Sequence, residues 1–205
     1  MSSENYECII NKVINMINYP NGAGVKVEKT IDYGHRGMSL EDDINSTNKY
    51  YLESDIAAVY KKPTPIQITK VDYRSRSTAK ITEAYFQTPS TTDYNGVYKG
   101  LYIDFEAKET QSKTALVSKM IHPHQLAHME RVIRYGGVAF VIVRFYRLDE
   151  TYFVFADRVL DYLRSATRKS IPREWFVENG ILIPYNYLVK VDYLKVIDQF
   201  VLEGK

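Results

Sequence analysis

Apolar side chains recur along this chain at two periods, and the switch between them predicts its elements. Over residues 39–53, Leu40, Ile44, Thr47 and Tyr51 share one helical face, and Ser39 and Asp42 have the spacing of a capping box. An amphipathic helix is expected there. A period of two follows. A strand is expected at 56–60, and then the prolines of Lys61-Lys62-Pro63-Thr64-Pro65 exclude a central strand and impose an extended kink. Alternation at 66–71 and at 78–86, joined by the polar Tyr73-Arg74-Ser75-Arg76-Ser77, predicts the two arms of a hairpin. Further strands are expected at 92–98 and 101–108, with the Asn95-Gly96 pair read as a turn signal. A helix over 123–135 leads into the nearly all-apolar run 138–143, a buried central strand, and then a strand at 151–155. The tail reads as mostly helical, with Ser170 as an N-cap before Ile171-Pro172 and a helical period over 193–202. Helix, mainly antiparallel strands, helix, strands and helices in that order predict an α/β fold.

The 205 residues are 45% hydrophobic, enough for one core with an appendage. Residues 1–15 read as an extension, with a short helix through Ile9, Ile10, Val13 and Ile14, and Tyr19-Pro20-Asn21-Gly22-Ala23-Gly24 as the linker after it. No run of eighteen apolar residues and no secretory leader pattern appears, so no membrane partner is expected and the cytoplasm is the expected location. The single cysteine, Cys8, excludes an internal disulfide and a thiolate zinc cage, which directs any metal site toward oxygen and nitrogen ligands.

Chemistry concentrates in Tyr102-Ile103-Asp104-Phe105-Glu106-Ala107-Lys108. On a strand, Ile103, Phe105 and Ala107 face a core while Asp104, Glu106 and Lys108 share the other face. A carboxylate that holds a hard divalent cation, beside an ammonium near the attacking water, is what phosphodiester hydrolysis needs; an ordinary surface ion pair gives the same short string. Asp93 adds to the functional reading, because it lies near a strand start from which folding of the sheet is expected to bring it beside Glu106. Two strand-borne carboxylates with a lysine two residues after the second follow the spacing of the PD-(D/E)xK nucleases. His124 and His128 lie one helical turn apart, as zinc ligands often do, but no Glu stands between them; a structural or DNA-facing role is the simpler reading of His122, His124 and His128.

Longer strings carry a resemblance to a family. Arg36-Gly37-Met38-Ser39-Leu40-Glu41, Lys61-Lys62-Pro63-Thr64-Pro65-Ile66-Gln67-Ile68, Glu83-Ala84-Tyr85-Phe86, Ser90-Thr91-Thr92-Asp93-Tyr94-Asn95-Gly96-Val97-Tyr98 and Tyr102-Ile103-Asp104-Phe105-Glu106-Ala107-Lys108-Glu109-Thr110 resemble, in order, the RecU family of Holliday-junction resolvases. The resemblance implies a restriction-endonuclease-like mixed central sheet flanked by helices, with a projecting β-hairpin stalk. The linker signal marks 1–18 as an N-terminal extension expected to be mobile, and the resemblance implies a single nuclease domain, 19–205, with the stalk inserted at about residues 61–85. By the same resemblance Thr91, Asp93, Glu106 and Gln125 form the magnesium site, with Mn2+ as a substitute, and Lys108 is the transition-state stabiliser. Glu41 resembles the extra acidic residue near the metal in many such enzymes, although an acidic first turn also suits the helix dipole. The implied activity is resolution of four-way junction DNA by paired symmetric nicks that leave 5′-phosphates. The implied partners are a second copy of the chain in a homodimer, a strand-exchange recombinase and a branch-migration helicase. Three departures are visible: residues before Met16 have no counterpart, Arg74 stands where proline is common, and Ile121 replaces an aromatic residue before His122-Pro123-His124-Gln125.

Charge then separates the functional readings. The net charge is only +2, but Lys61, Lys62, Lys70, Arg74, Arg76 and Lys80 against Asp72 and Glu83 give the segment 59–85 a charge of +4, leaving −2 elsewhere. One-sided charge on a hairpin suits insertion among phosphates. Arg36, ahead of the first helix, fits a phosphate contact or a loop cap equally, and Arg158, Arg164, Arg168, Lys169 and Arg173 form a second basic group that fits a duplex arm or a solvated helix face. A catalytically silent junction-binding protein that modulates the recombinase is the alternative of a different class, against which the intact Asp93, Glu106 and Lys108 weigh. A duplex-reading nuclease on the same fold would not need the proline-kinked hairpin.

Overall fold

The computed structural model describes residues 39–87 and 91–203. The readings of residues 1–18, of the linker at 19–24 and of Arg36 lie outside them. A six-stranded sheet organises the chain, in the order β1 (Ala58–Lys61), β4 (Tyr94–Tyr98), β5 (Leu101–Thr110), β7 (Val138–Phe145), β8 (Glu150–Phe155), β10 (Ile181–Ile183). Only β5 and β7 run parallel, because α2 (Pro123–Arg134) carries the chain back between them; the other neighbours are antiparallel. The sheet is therefore mixed and flanked by helices, as expected.

Both faces of β7 are buried, which is why its sequence reads as an unbroken apolar run. Phe140 and Ile142 join Leu40, Ile44 and Tyr51 of α1 (Leu40–Glu53), Ile103 and Phe105 of β5, and Tyr193 of α5 (Tyr193–Ile197) in one core. Ala139, Val141 and Val143 face the opposite core with Met129 of α2, Val159 of α3 (Ala156–Ser165) and Phe176 of α4 (Arg173–Asn179). Stacked rings of Tyr94, Phe105, Phe140 and Phe153 cross the first core from strand to strand, with centroids 4.3–4.8 Å apart. The helix predicted from Ser39 forms with its capping box, and Asp43 and Asn48 are buried beside Leu40, Ile44, Thr47 and Tyr51.

Three local expectations are corrected. Asn95 and Gly96 lie inside β4, and the turn to β5 is Lys99-Gly100, both at positive φ as a two-residue hairpin loop requires. Gly96 serves close packing: a Cβ there would stand 2.2 Å from the Ala58 carbonyl oxygen of β1. Ser170 does not cap a helix. It begins β9 (Ser170–Pro172), which pairs with β6 (Ala115–Val117) so that Leu116 and Ile171 are buried opposite each other, and α4 starts only at Arg173. With β9 and β10 in it, the tail is less helical than its periodicity predicts.

The hairpin β2 (Ile66–Asp72) and β3 (Lys80–Phe86) forms its own two-stranded sheet, with every strand residue exposed. Gln87 donates to the Pro65 carbonyl at 3.0 Å and closes its base. This is the projecting stalk.

Candidate metal centre and nucleic-acid interface

Strand pairing decides where the acidic residues meet. Tyr94 is the register partner of Phe105, so Asp93, one residue before β4, stands opposite Glu106. Glu106 is fully buried, and its carboxyl is pushed up to about 8, first by burial and then by the adjoining Asp93 carboxyl, with the Lys108 ammonium opposing. Lys108 Nζ lies 2.5 Å from Glu106 Oε1, yet neither Glu106 oxygen accepts a directed hydrogen bond. Two carboxyl groups forced together, one buried and without a directed donor, make a site that a hard dication would satisfy. The candidate ligand atoms of Asp93 and Glu106 are carboxylate oxygens, which also fits a hard cation, with the Lys108 ammonium beside them.

Thr91 and Gln125 are placed less directly. The Thr91 hydroxyl donates to the Thr92 carbonyl at 3.3 Å. Gln125 is buried at the third position of α2, where its amide oxygen accepts from the His122 N–H at 2.8 Å and so completes a helix cap. Among the described residues no hydrogen bond joins either one to Asp93 or Glu106, and no three His, Cys, Asp or Glu side chains converge as metal ligands. The three histidines accordingly form no cluster: His122 and His124 stack at 5.4 Å, and His128 turns to Asp104. Glu41 lines a cleft of about 240 Å³ together with Asp93, Tyr94 and Glu109, and Glu109 caps the α1 N-terminus by accepting from the Leu40 N–H at 2.9 Å. The acidic helix end thus shares this cleft with Asp93.

The basic residues divide into two sets. Lys70, Arg74, Arg76 and Lys80 are exposed along the stalk; the Arg74 pairing to Asp72, at 3.8 Å, is loose and solvated. Lys61 pairs with Glu41, and Lys62 turns inward, with an 18% exposed side chain whose ammonium donates to Asp104 Oδ2 at 2.7 Å. Lys62 is therefore engaged by the protein, unlike the solvated cations of the stalk. The second basic group is largely occupied as well. Arg158 donates to the Asn179 carbonyl, Arg164 pairs with Glu130 and Asp161, and Arg173 makes a two-pronged bond to Glu150.

Sequence reasoning undervalued Asp104. It is fully buried and gathers Lys62, Thr92, Tyr102 and His128 around one carboxylate. Its place on the Glu106 face of β5 was the only signal, since its partners come from distant segments.

Fold and site together define a class: an α/β protein whose mixed sheet presents a facing carboxylate pair and a lysine beside a cationic hairpin, the PD-(D/E)xK arrangement. The chain belongs to the Recombination protein U family, whose model matches residues 35–199. It is 49% identical over 192 residues to the Holliday junction resolvase RecU of Geobacillus kaustophilus (strain HTA426), covering 89% of this chain and 96% of that one. The Holliday junction resolvase RecU of Bacillus cereus (strain AH820) is likewise 49% identical, over 193 residues, with the same shares covered. Among solved structures, Hjc of Archaeoglobus fulgidus, a Holliday junction resolvase from an archaeal hyperthermophile, overlaps at a TM-score of 0.39 and 12% identity, over 68% of this chain and 95% of that one. No described helix is long and apolar enough to cross a membrane.

Proposed function

We propose that this chain is a Mg2+-dependent, structure-selective endonuclease that resolves Holliday junctions by paired symmetric nicks during recombination and repair. Membership of a family whose relatives are named as such resolvases supports the reading. The observation that carries it is the meeting of Asp93, Glu106 and Lys108 at one place on the sheet.

Asp93 and Glu106 would hold the cation, with Thr91 and Gln125 completing the ligand set and Glu41 as an additional acidic residue beside it. A divalent ion at that position supplies Lewis acidity toward the phosphoryl oxygen and the attacking water. Lys108, held beside Glu106, orients the nucleophile and offsets the charge that grows on the phosphorane. Hydrolysis then leaves a 5′-phosphate. The exposed Lys70, Arg74, Arg76 and Lys80 give the stalk a cationic surface to enter the junction centre. Two cuts related by a two-fold axis require two sites, so the working form is a C2 homodimer acting in the cytoplasm, with a strand-exchange recombinase and a branch-migration helicase as partners.

Cleavage of a synthetic four-way junction against matched duplex and fork, with and without Mg2+, tests this. Mg2+-dependent cutting confined to the junction is expected. Junction binding with no cutting under any divalent ion would overturn it in favour of a silent junction-binding protein.

A further inference from the structure

A fully buried carboxylate outside the Asp93–Glu106 pair needs a reason, and Asp104 has four contacts that supply one. Lys62 Nζ donates to Oδ2 at 2.7 Å, the Tyr102 hydroxyl donates at 2.8 Å, His128 Nε2 lies at 3.1 Å, and the Thr92 hydroxyl meets Oδ1. Lys62 Nζ also donates to Thr92 Oγ1 at 2.9 Å, and the Lys62 backbone N–H donates to the Asp93 carbonyl at 2.7 Å. These groups come from the root of the stalk, the loop before β4, β5 itself and α2.

Their positions in the chain give the network its consequence. Thr92 directly precedes Asp93, Asp104 lies two residues before Glu106 on the same face of β5, and Lys62 is the last residue before the rigid Pro63-Thr64-Pro65 that enters the stalk. The closed triangle of Lys62, Thr92 and Asp104 therefore fixes the Asp93 loop against the Glu106 strand. It does so at the point where the stalk is anchored. We infer that Lys62 and Asp104 are positioning residues, which set the separation of the Asp93 and Glu106 carboxylates for a divalent cation and tie that separation to the root of the stalk. Neither residue touches DNA or the ion in this scheme. The inference rests on the metal-site reading above and adds to it the groups that hold the ligands in place, whose loss typically costs about 10–100-fold in metal affinity.

Mn2+ binding to the full chain without DNA, followed by electron paramagnetic resonance, tests the inference on Lys62→Met, Asp104→Asn and the double variant, with Glu106→Gln as a reference. Each single variant should weaken Mn2+ binding by about tenfold, and the double variant should be no weaker than the weaker single, because both break one network. Four-way junction binding in EDTA should stay within about twofold of the parent, which a general loss of structure would not allow. Parent-like Mn2+ affinity in both single variants, where Glu106→Gln abolishes binding, would overturn the positioning role alone. Parent-like Mn2+ affinity in Glu106→Gln would overturn the metal site itself, and the inference with it. If Asp104→Asn does not fold at the assay temperature, Thr92→Val removes one hydroxyl and no charge and carries the same expectation. Equal losses of Mn2+ and of EDTA junction binding would mean that the network only maintains the fold, which also overturns the proposal.

Discussion

Glu106→Gln should abolish cleavage and, in EDTA, make the protein more stable. The carboxyl is fully buried, without a directed hydrogen bond, and sits at about 8 in the folded state against an ordinary value of 4.5. Because the folded value is raised, the cost is absent below 4.5, grows as the pH rises, and levels off above about 8. Between 4.5 and an assay at about pH 7.5 lie three pH steps, each worth about 1.4 kcal/mol, so the carboxyl costs the metal-free protein up to about 4 kcal/mol. Glutamine removes that cost but leaves its own amide partly unsatisfied in the same place, at about 1–3 kcal/mol. The net gain is about 2 kcal/mol, or about 4–8 °C in thermal midpoint for a domain of this size. Added Mg2+ should then raise the midpoint of the parent and not of the variant, since only the parent retains the ligand. Calorimetric scans in EDTA and in Mg2+ at two pH values measure both effects. A variant midpoint below the parent's in EDTA would refute the reasoning, because Glu106 would then be a net stabiliser and not a site held ready for a cation.

Other consequences can be measured separately. Lys108→Ala should lose cleavage while still binding junctions, and a rate within about threefold of the parent, less than about 1 kcal/mol in the barrier, would remove Lys108 from the chemistry. Alanine at Arg74, Arg76 and Lys80 together should weaken junction binding and lower its log–log salt slope by up to about 3, with much less effect on duplex; equal losses on both DNAs in gel shifts would make the stalk a general electrostatic surface. Light scattering should find a dimer at micromolar protein, and monomers together with unlinked single nicks in a cruciform plasmid would argue against the C2 machine. The Arg173 hydrogen bonds hold the Glu150 carboxyl below its ordinary 4.5, so this pair contributes above that value and its contribution is lost as the pH falls below it. Arg173→Met should therefore cost about 1 kcal/mol near neutrality and less in acid; a midpoint difference that persists unchanged in acid would dismiss the pair.

The chain on its own determined the elements whose signal is local. The capping box and 3.6 period of α1, the alternation of β5 and the stalk arms, and the apolar run of β7 each reflect a face that must be buried or solvated whatever lies opposite. The candidate chemistry was equally local, since Glu106 and Lys108 share a strand face by backbone geometry alone. The three-dimensional arrangement decided what depends on partners distant in sequence. Gly96 sits in a strand and not in a turn because β1 passes 2.2 Å from where its Cβ would be. Ser170 joins a strand because β6, some 55 residues earlier, offers a ladder and a burial site for Ile171. Lys62, which reads as one more cation in a basic stretch, is drawn inward by Asp104, 42 residues away. An unscreened buried carboxylate selects whichever donors the fold brings within reach, and neither composition nor periodicity encodes that proximity.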